Sequence, residues 1–458
     1  MTAETIAAIA TGLSNAGISM IRISGDKAFE IIDRIYRSKN GNKVLSKEKS
    51  HTIHYGFIVD EERIIDEVMV TIMRSPSTYT REDIIEINCH GGLIVTRKLL
   101  ETVLKYGARI AEPGEFTKRA FLNGRIDLSQ AEAVCDIISA KNELSLQNSL
   151  NQLRGKERKI IIDLRERILR DIAFIEAALD DPEHISLEGF SDLLKEHLSE
   201  EIRMIEQLLR DADNGKIIKE GIKTVIIGKP NAGKSSLLNT LVGEERAIVT
   251  DIAGTTRDTL EETINLNGIL LNVIDTAGIR DTKDIIEKIG VEKAIKIASG
   301  ADLIIYVLDS STELDGNDKA IMELIEDKKA ILLLNKSDLE SQITVGQIKA
   351  MTDHPIIPIS VKENTGIHDL EQAIKEMFFE GKITFNEDIY ITNERHKEAF
   401  IQALQSLRLV EQSVELDMPE DFYSIDLMSA YELLGKIIGE NVEEDLVNMI
   451  FKEFCMGK

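Results

Sequence analysis

The sequence predicts a multidomain protein in which an α+β domain, an all-α helical bundle and an α/β domain share one chain of 458 residues. Within residues 216–380, β-like apolar runs alternate with helical patterns, which is typical of a mostly parallel sheet covered by helices on both faces. On both sides of this range, apolar residues recur at helical spacing. The chain is also longer than a single hydrophobic core usually supports.

Residues 1–118 mix short strand and helix patterns, and we expect them to form an α+β domain. Alternating apolar residues predict strands, whereas apolar residues at spacings of three and four predict helices. The glycine pair Gly91-Gly92 is expected to form a tight turn between the last strand and the following helix. The predicted strands are 18–24, 53–59, 67–73 and 84–88, and the predicted helices are 29–36 and 93–106.

Residues 119–215 and 381–458 are predicted to be two parts of one helical domain. Neither part can easily bury its apolar stripe alone, so the two should pack into one bundle. The α/β region 216–380 is then an inserted domain, an arrangement tolerated where the inserted domain's own ends lie close together. Asp181-Pro182 should end a helix, and Asn214-Gly215 should mark the boundary before the insertion.

The composition argues against several classes of protein. The net charge is −25, so a contact with nucleic acid must be local or supplied by a partner. No apolar run approaches the length of a membrane span and no secretory signal pattern is evident, so we expect a cytoplasmic protein. Cys89, Cys135 and Cys455 form no C-x-x-C pair, which fits a reducing compartment without a disulfide framework.

The most informative motif is GKPNAGKS, from Gly228 to Ser235. It follows an apolar β-like run and opens a helical pattern, which is the context of a phosphate-binding loop. Backbone N–H groups of such a loop surround phosphates, Lys234 supplies a positive charge and Ser235 a magnesium ligand. The expected nucleotide contacts are Asn231, Ala232, Gly233, Lys234, Ser235 and Ser236.

Two further motifs follow strand ends of the same region. Asp275-Thr276-Ala277-Gly278 can hold the magnesium shell through water and contact the γ-phosphate through a glycine amide. In Asn335-Lys336-Ser337-Asp338, the Asp338 carboxylate can accept hydrogen bonds from N1–H and the 2-amino group of guanine, which adenine lacks. The motif therefore selects GTP. Asn335 is predicted on the other edge of the base, and Ser360-Val361-Lys362 should support the base through backbone N–H groups.

The segment TDIAGTTRD is the remaining candidate for contact with the nucleotide, and it contributes Thr250, Asp251, Ile252, Ala253, Gly254, Thr255 and Thr256. Either Thr255 or Thr256 should reach magnesium, and the spacing does not decide between them. Ile279 stands where Ras-like proteins carry a glutamine that orients the attacking water. The missing catalytic charge must come from elsewhere, and a monovalent cation bound by Asn231 is one solution. Stabilisation of the loop's shape is the alternative role of Asn231.

Together, GKPNAGKS, TDIAGTTRD, DTAGIR, NKSD and the ending FCMGK resemble the family of tRNA modification GTPases called MnmE or TrmE. The resemblance extends over the full chain. The ending is its most specific part, because many families share the GTPase motifs, and Met456 replaces the usual isoleucine. The resemblance implies an N-terminal domain similar to the folate-binding domains of one-carbon enzymes, and a Ras-like P-loop GTPase domain inserted into the helical domain.

The resemblance also implies roles for individual residues in GTP hydrolysis. Glu287 would orient the attacking water, although the residues alone predict only a solvent-facing helix position there. Lys234 is the second residue that we expect to act in catalysis, beside Glu287. Potassium would replace an arginine finger, which leaves Ser235 and Thr256 for magnesium. The implied potassium ligands are Asn231, Thr250, Ile252 and Thr255.

A second set of implied residues concerns a folate. The resemblance implies that 5-formyltetrahydrofolate is bound by Arg22, Glu86, Arg125 and Lys458. Position 125 is more often lysine in the family, so Arg125 keeps the charge but changes the donor geometry. Cys455 is a candidate nucleophile by its placement, and a small buried residue near the chain end is the alternative interpretation.

The partners implied by the resemblance are a second copy of the chain, joined through the N-terminal domains, and the flavin- and NADH-dependent protein MnmG, in a heterotetramer or larger complex. Together they would place an aminomethyl or carboxymethylaminomethyl group on C5 of the wobble uridine of tRNA. A ribosome-assembly-type RNA-binding GTPase is the alternative, but the G-x-x-G loop of its KH module is absent from this sequence. Neither a basic amphipathic helix nor a lipidation motif favours a membrane-bound switch.

Overall fold

The computed structural model describes residues 4–41, 43–210, 212–246, 262–266, 268–274, 300–379, 390–452, 454 and 457. The chain divides into two compact units. The first consists of Met1–Ile138, Gln152–Lys195 and Gln405–Lys458, and the second of Ser139–Asn151 and Glu196–Leu404. The multidomain fold class is confirmed: the first unit holds a mixed sheet and helices, and the second an α/β sheet.

Among the described residues, the first unit contains a seven-stranded sheet in the order β3-β4-β5-β6-β2-β1-β7. Most neighbouring strands are antiparallel, and β1 with β7 is a parallel pair. The strands are β1 (Ile6–Ile9), β2 (Ala16–Ser24), β3 (Tyr36–Ser38), β4 (Thr52–Asp60), β5 (Arg63–Met73), β6 (Ile84–Gly91) and β7 (Arg109–Ile110).

Two helices, α1 (Ala28–Ile35) and α2 (Leu93–Lys105), supply the apolar side chains that complete this domain's core. Every second residue of β5 from Val68 to Ile72 is buried, and Ile85 and Ile87 of β6 are fully buried. On the opposite face of the sheet, Tyr55 and Met69 each remain 49% exposed. The alternating sequence pattern therefore places one face of the sheet in the core and leaves the other accessible.

The prediction that Gly91 and Gly92 both belong to a turn is wrong for Gly91. Strand β6 continues through His90 to Gly91, and only Gly92 separates it from α2. A Cβ atom at Gly91 would lie 2.3 Å from the Ala16 carbonyl oxygen. The glycine therefore permits close approach of β2, and it stays in the strand for that reason.

The helices of the first unit lie along the two chain segments that the sequence identified as helical. Long helix α6 ends at Asp180, which confirms the predicted break at Asp181-Pro182. Its Arg165 is buried against a C-terminal helix, donating to the Tyr431 carbonyl at 3.1 Å and pairing with Glu440 at 2.6 Å. The helices are α3 (Glu115–Leu122), α4 (Leu128–Ser139), α5 (Glu143–Leu153), α6 (Lys156–Asp180), α7 (Phe190–Arg210), α13 (Glu394–Glu415), α14 (Asp421–Ile438) and α15 (Glu444–Lys452), of which α4, α5, α7 and α13 include residues of the second unit.

The second unit contains, in its described part, a six-stranded sheet in the order β13-β12-β11-β8-β10-β9. All neighbours are parallel except β9, which pairs antiparallel with β10. The strands are β8 (Ile222–Gly228), β9 (Glu262–Leu266), β10 (Ile269–Val273), β11 (Leu303–Asp309), β12 (Ala330–Asn335) and β13 (Ile356–Pro358). The helices are α8 (Ala212–Glu220), α9 (Lys234–Arg246), α10 (Gly316–Ile325), α11 (Val345–Lys349) and α12 (Ile367–Phe379).

The mostly parallel sheet confirms the expected α/β architecture, and its core strands are apolar on both faces. All seven residues of β11 except the terminal Asp309 are buried, as are all six residues of β12. Such continuous burial is typical of parallel strands covered by helices on each side. The carboxyl ends of β8 and β12 therefore meet at one edge of the sheet, where loops can form a site.

Asn214 and Gly215, expected at a boundary, lie inside α8. A Cβ atom at Gly215 would lie 2.2 Å from the Ile391 carbonyl oxygen, so this glycine permits a close backbone approach rather than a turn.

Among the helices that the structure describes, none is both long and apolar enough to cross a membrane.

Candidate functional site

The loop between β8 and α9 has the backbone shape that its sequence predicts. Asn231 and Gly233 both adopt positive φ values, of 62° and 101°. Glycine reaches this conformation without a steric cost, and asparagine is among the few other residues that tolerate it. Ser235 and Ser236 follow in the first turn of α9, the end at which a helix presents backbone N–H groups to a ligand. The arrangement is that of an anion-binding loop at a helix N-terminus.

The ammonium group of Lys234 lies inside this loop. Its Nζ donates to the carbonyl oxygens of Gly228 at 2.8 Å and Lys229 at 2.7 Å. Burial lowers the pKa of Lys234. An anionic ligand in the loop would offset this cost of burying the charge, because an adjacent negative charge favours the protonated lysine. The lysine is therefore placed to bind phosphate.

The carboxyl end of β12 contacts the phosphate loop directly. Asn335 is buried, and its Nδ2 donates to the Ala232 carbonyl at 2.8 Å. At the other end of the same amide, Oδ1 accepts from the Val361 backbone N–H at 3.3 Å. Asn335 thus connects three of the predicted nucleotide-binding segments. A direct contact of Asn335 with the base stays a prediction.

Asp338, the predicted guanine-reading residue, is oriented by Ser360. The Ser360 hydroxyl donates to Asp338 Oδ1 at 2.7 Å, and Ser360 accepts from the Glu363 N–H at 3.2 Å. The hydrogen bond from Ser360 is the largest cause of a lowered pKa at Asp338. Asp338 is therefore an ionised acceptor on an exposed loop, as guanine recognition requires.

The neighbouring residues of this motif have structural contacts of their own. Lys336 adopts a φ of 64°, and its Nζ pairs with Asp309 Oδ2 at 2.5 Å at the end of β11. The Ser337 backbone N–H donates to the Ile359 carbonyl at 3.1 Å. These contacts hold the base motif between the ends of β11 and β13.

Sequence reasoning missed a charged cluster behind the phosphate loop. Lys229 Nζ lies 2.5 Å from Asp318 Oδ2 and 2.9 Å from Asp315 Oδ2. Asp318 is 1% exposed, and its other oxygen accepts from the Tyr306 hydroxyl at 2.7 Å. Burial alone would lower the pKa of Lys229, but the hydrogen bonds to the two carboxylates raise it. Asp315 also caps α10, and the D-x-x-D spacing was a signal for that cap alone.

Several predicted site residues lie outside the residues that the structure describes. They are Thr250, Asp251, Ile252, Ala253, Gly254, Thr255, Thr256, Asp275, Thr276, Ala277, Gly278, Glu287, Cys455 and Lys458.

A second polar site lies on the sheet of the first unit. Arg22 on β2 stands opposite Glu86 on β6, and its Nε and Nη2 lie 2.9 Å and 2.8 Å from Glu86 Oε1. Arg22 Nη1 also donates to the Gly457 carbonyl at 3.3 Å. Gly457 itself fits tightly, since a Cβ atom there would lie 2.4 Å from the Ile9 carbonyl oxygen. Gly457 is thus placed beside the Arg22–Glu86 pair.

Aromatic rings complete this second site. The Arg22 guanidinium lies 5.9 Å from the Tyr79 ring centre and 5.7 Å from that of Phe116. The Arg125 guanidinium lies 4.7 Å from the same Tyr79 ring. The structure therefore brings three predicted folate ligands, Arg22, Glu86 and Arg125, to one place. Tyr79 and Phe116 were not predicted, because isolated aromatic residues carry no sequence signal for a site.

The fold and the loops at β8 and β12 define a protein of the P-loop GTPase class. Two protein-family models match the chain: "MnmE helical domain" over residues 128–455 and "GTP-binding protein TrmE N-terminus" over residues 5–125. The chain therefore belongs to the MnmE family of tRNA modification GTPases, which confirms the resemblance noted from the motifs.

Curated relatives match along the whole chain. The chain is 66% identical over 458 residues to "tRNA modification GTPase MnmE" of Lachnoclostridium phytofermentans, with 100% of both chains covered. Proteins of the same name from Alkaliphilus oremlandii and Bacillus subtilis are 50% and 46% identical. The match covers 99% of this chain in both cases, and 99% and 100% of those relatives.

Proposed function

We propose that this chain is a potassium-dependent GTPase that acts in the modification of the wobble uridine of tRNA. Together with MnmG, it would take part in the formation of 5-(carboxymethyl)aminomethyluridine or 5-aminomethyluridine. The observation that carries the nucleotide part is the hydrogen bond between Asn335 and Ala232, at 2.8 Å, which joins the guanine motif to the phosphate loop. The tRNA part is supported by the name of relatives that match along the full length.

The residues of the site have separate tasks in hydrolysis. The loop amides and the Lys234 ammonium bind the β- and γ-phosphates, and the loop at the start of α9 adds the favourable potential of a helix N-terminus. Asp338 selects guanine. Water attacks the γ-phosphorus as the bond to the β–γ bridging oxygen breaks, giving GDP and inorganic phosphate. By family similarity, Glu287 orients that water.

The metal ions belong to the same proposal. Ser235, in the first turn of α9, would hold magnesium together with Thr256. The side chain of Asn231 is exposed and has no hydrogen-bond partner within the described parts of the chain, so it is available as a ligand. Its φ of 62° gives Asn231 a role in the shape of the loop as well. With Thr250, Ile252 and Thr255 it would hold potassium, whose positive charge stabilises charge on the phosphates.

The second polar site fits 5-formyltetrahydrofolate. A folate has a flat ring with hydrogen-bond donors and acceptors, and a tail with carboxylates. The paired Arg22 and Glu86 offer both kinds of partner to the ring, Tyr79 offers an aromatic face, and Arg125 offers a cation to a carboxylate. We infer that Lys458 adds a second cation.

Two further parts belong to the proposal. Cys455 acts as a nucleophile, and two copies of the chain form a homodimer through their N-terminal domains.

Titration of the full-length protein with 5-formyltetrahydrofolate tests the proposal against a ribosome-assembly role, for which there is no reason to bind a folate. We expect saturable binding by calorimetry, at least tenfold weaker after Arg22→Ala, because the charged pair with Glu86 is lost. Arg97→Ala, on the exposed surface of α2, is the control and should bind normally. Absence of folate binding in the unaltered protein would contradict this part of the proposal.

The tRNA part is tested by incubating the protein with MnmG, FAD, NADH, tRNA, GTP, the folate as one-carbon source and an ammonium salt or glycine as the source of the amino group, followed by mass analysis of the nucleosides. We expect a modified uridine that depends on both proteins. An unchanged nucleoside profile would contradict the proposed reaction.

A further inference from the structure

A cleft of about 490 Å³ opens at the edge of the seven-stranded sheet, beside β3 and the segment that follows it. The cleft is separate from the Arg22–Glu86 site, and none of the predicted site residues lines it. Its walls combine positive charge with one aromatic ring. They include Ser38, Lys39, Lys43, Lys47, Glu48 and Tyr55.

The charge of this region is opposite to that of the whole chain. Residues 37–49 hold five basic residues and one acidic residue, whereas the chain carries a net charge of −25. Arg37, Lys39, Lys43, Lys47 and Lys49 are all exposed. Charges further apart than about 8–10 Å are largely screened at physiological salt, so this local cluster can attract an anion despite the acidic remainder.

Lys39 and Lys47 are available to a ligand, and Lys43 is only weakly paired. Lys43 Nζ lies 3.8 Å from Glu48, a long and partly exposed ion pair. Over the ranges that the structure describes, Lys39 and Lys47 form no ion pair. Their charges are therefore not neutralised by a neighbouring carboxylate of the described chain.

The segment that carries these lysines is held on a rigid support. Asp33 Oδ1, on α1, accepts from the backbone N–H groups of Leu45 at 2.8 Å and Ser46 at 3.1 Å. Leu45 is fully buried. From the other side, Arg74 Nη2 donates to the Ser46 carbonyl at 2.5 Å, and its guanidinium lies 4.1 Å from the Phe29 ring centre. The cluster is thus fixed to the domain core at several points.

Two uncharged groups of the cleft also fit a nucleic acid. Ser38 Oγ is buried and has no hydrogen-bond partner among the described residues, so a rotation toward a phosphate would break no existing bond. Tyr55 is 49% exposed at the cleft. Aromatic faces at such positions stack on unpaired bases without regard to their sequence.

We propose that this cleft binds the sugar–phosphate backbone of tRNA, an inference that rests on the proposed function in tRNA modification. Lysines at this density match closely spaced phosphates, since each acts as a point charge that releases condensed counterions on contact. The cleft gives an acidic protein a local surface for an acidic partner.

The test compares the full-length protein with the triple variant Lys39→Gln, Lys43→Gln, Lys47→Gln. Affinity for labelled total tRNA is measured over a series of salt concentrations. We expect about tenfold weaker binding at low salt, and a slope of log affinity against log salt that is smaller by about 2, because each lost phosphate contact removes about 0.7–0.9. GTP hydrolysis and GTP affinity should be unchanged, which shows that the variant is folded.

The matched control removes the same total charge elsewhere, with Lys319→Gln, Lys328→Gln and Lys349→Gln, all exposed residues of the second unit. It should bind tRNA like the unaltered protein. Equal weakening in both variants would show a general charge effect and contradict the cleft. Unaltered tRNA binding in the cleft variant would contradict the cleft and leave the proposed function intact, whereas a parent protein without affinity for tRNA would contradict both. A cleft variant that binds tRNA normally but MnmG weakly would assign the cleft to a protein partner and also overturn the inference.

Discussion

The Asn335 side chain donates from Nδ2 to the Ala232 carbonyl at 2.8 Å and so ties the guanine-reading strand end to the phosphate loop. The two segments are 103 positions apart in the sequence. Because this bond exists within the protein itself, the two halves of the nucleotide site are held in register before any ligand contributes. Pre-organisation of this kind reduces the entropy cost of binding.

Gly233→Ala should disrupt that register. A Cβ atom at Gly233 would lie 2.1 Å from Asn335 Nδ2, and the φ of 101° is strained for any residue with a side chain. We expect GTP affinity to fall at least about tenfold, which corresponds to about 1.4 kcal/mol. Calorimetric titration with GTP measures it. The control is Gly316→Ala, where no atom lies within 4 Å of the added carbon, and normal affinity is expected there. Equal affinities for Gly233→Ala and the parent protein would contradict the geometry.

Asp338→Asn should change the base that is recognised. An asparagine amide donates where the carboxylate accepted, so it matches the 2-carbonyl of xanthine better than the 2-amino group of guanine. We expect a shift in preference from GTP toward xanthosine triphosphate of about a hundredfold or more, measured as a ratio of competitive affinities. An unchanged ratio would show that Asp338 does not read the base.

Ser360→Ala should shift the pH dependence of GTP binding. The hydrogen bond from Ser360 keeps the pKa of Asp338 below its ordinary value. Guanine recognition needs the ionised carboxylate, so affinity should persist as pH falls until that group is protonated. Without the hydrogen bond the pKa rises, and the acidic loss of affinity should begin at a higher pH. Dissociation constants across a pH series test this, and coincident profiles for the two proteins would rule out the role of Ser360.

Lys229→Met should destabilise the nucleotide domain and weaken GTP binding. It removes the charged hydrogen bond to the buried Asp318 carboxylate, and a hydrogen bond between charged groups contributes about 1.5–3 kcal/mol. Denaturant unfolding measures the loss. Lys319→Met, an exposed change on α10, should cost less than about 0.5 kcal/mol.

A second substitution separates the ion pair from other effects of Lys229. If the ion pair is responsible, Asp318→Asn should lower the free energy of unfolding less in the Lys229→Met variant than in the parent protein. Strict additivity of the two losses would contradict the proposed coupling.

The parts of the fold that the sequence predicts are those that local patterns determine. The apolar runs of β8, β11 and β12 identify parallel buried strands, and the glycines of GKPNAGKS define the loop because few other residues adopt its conformation. The edge strand β9 was missed because it is only five residues long and contains just two apolar residues, Ile264 and Leu266.

The contacts that the sequence could not predict join residues far apart along the chain. Lys229 and Asp318 are separated by 89 positions, and Arg22 and Gly457 by 435. No local propensity encodes such pairs, since they depend on which elements become neighbours in the folded protein. Gly91 shows the same limit on a smaller scale: it was interpreted as a turn residue, but its close contact with Ala16 places it in a strand.

The most direct test of the proposed mechanism is the rate of GTP hydrolysis in potassium and in sodium at equal ionic strength, for the parent protein and for Asn231→Ala. We predict hydrolysis at least about tenfold faster in potassium, as expected for about 1.4 kcal/mol of added transition-state stabilisation. In Asn231→Ala the difference should disappear while GTP still binds. Equal rates in the two salts for the parent protein would contradict the potassium-dependent mechanism.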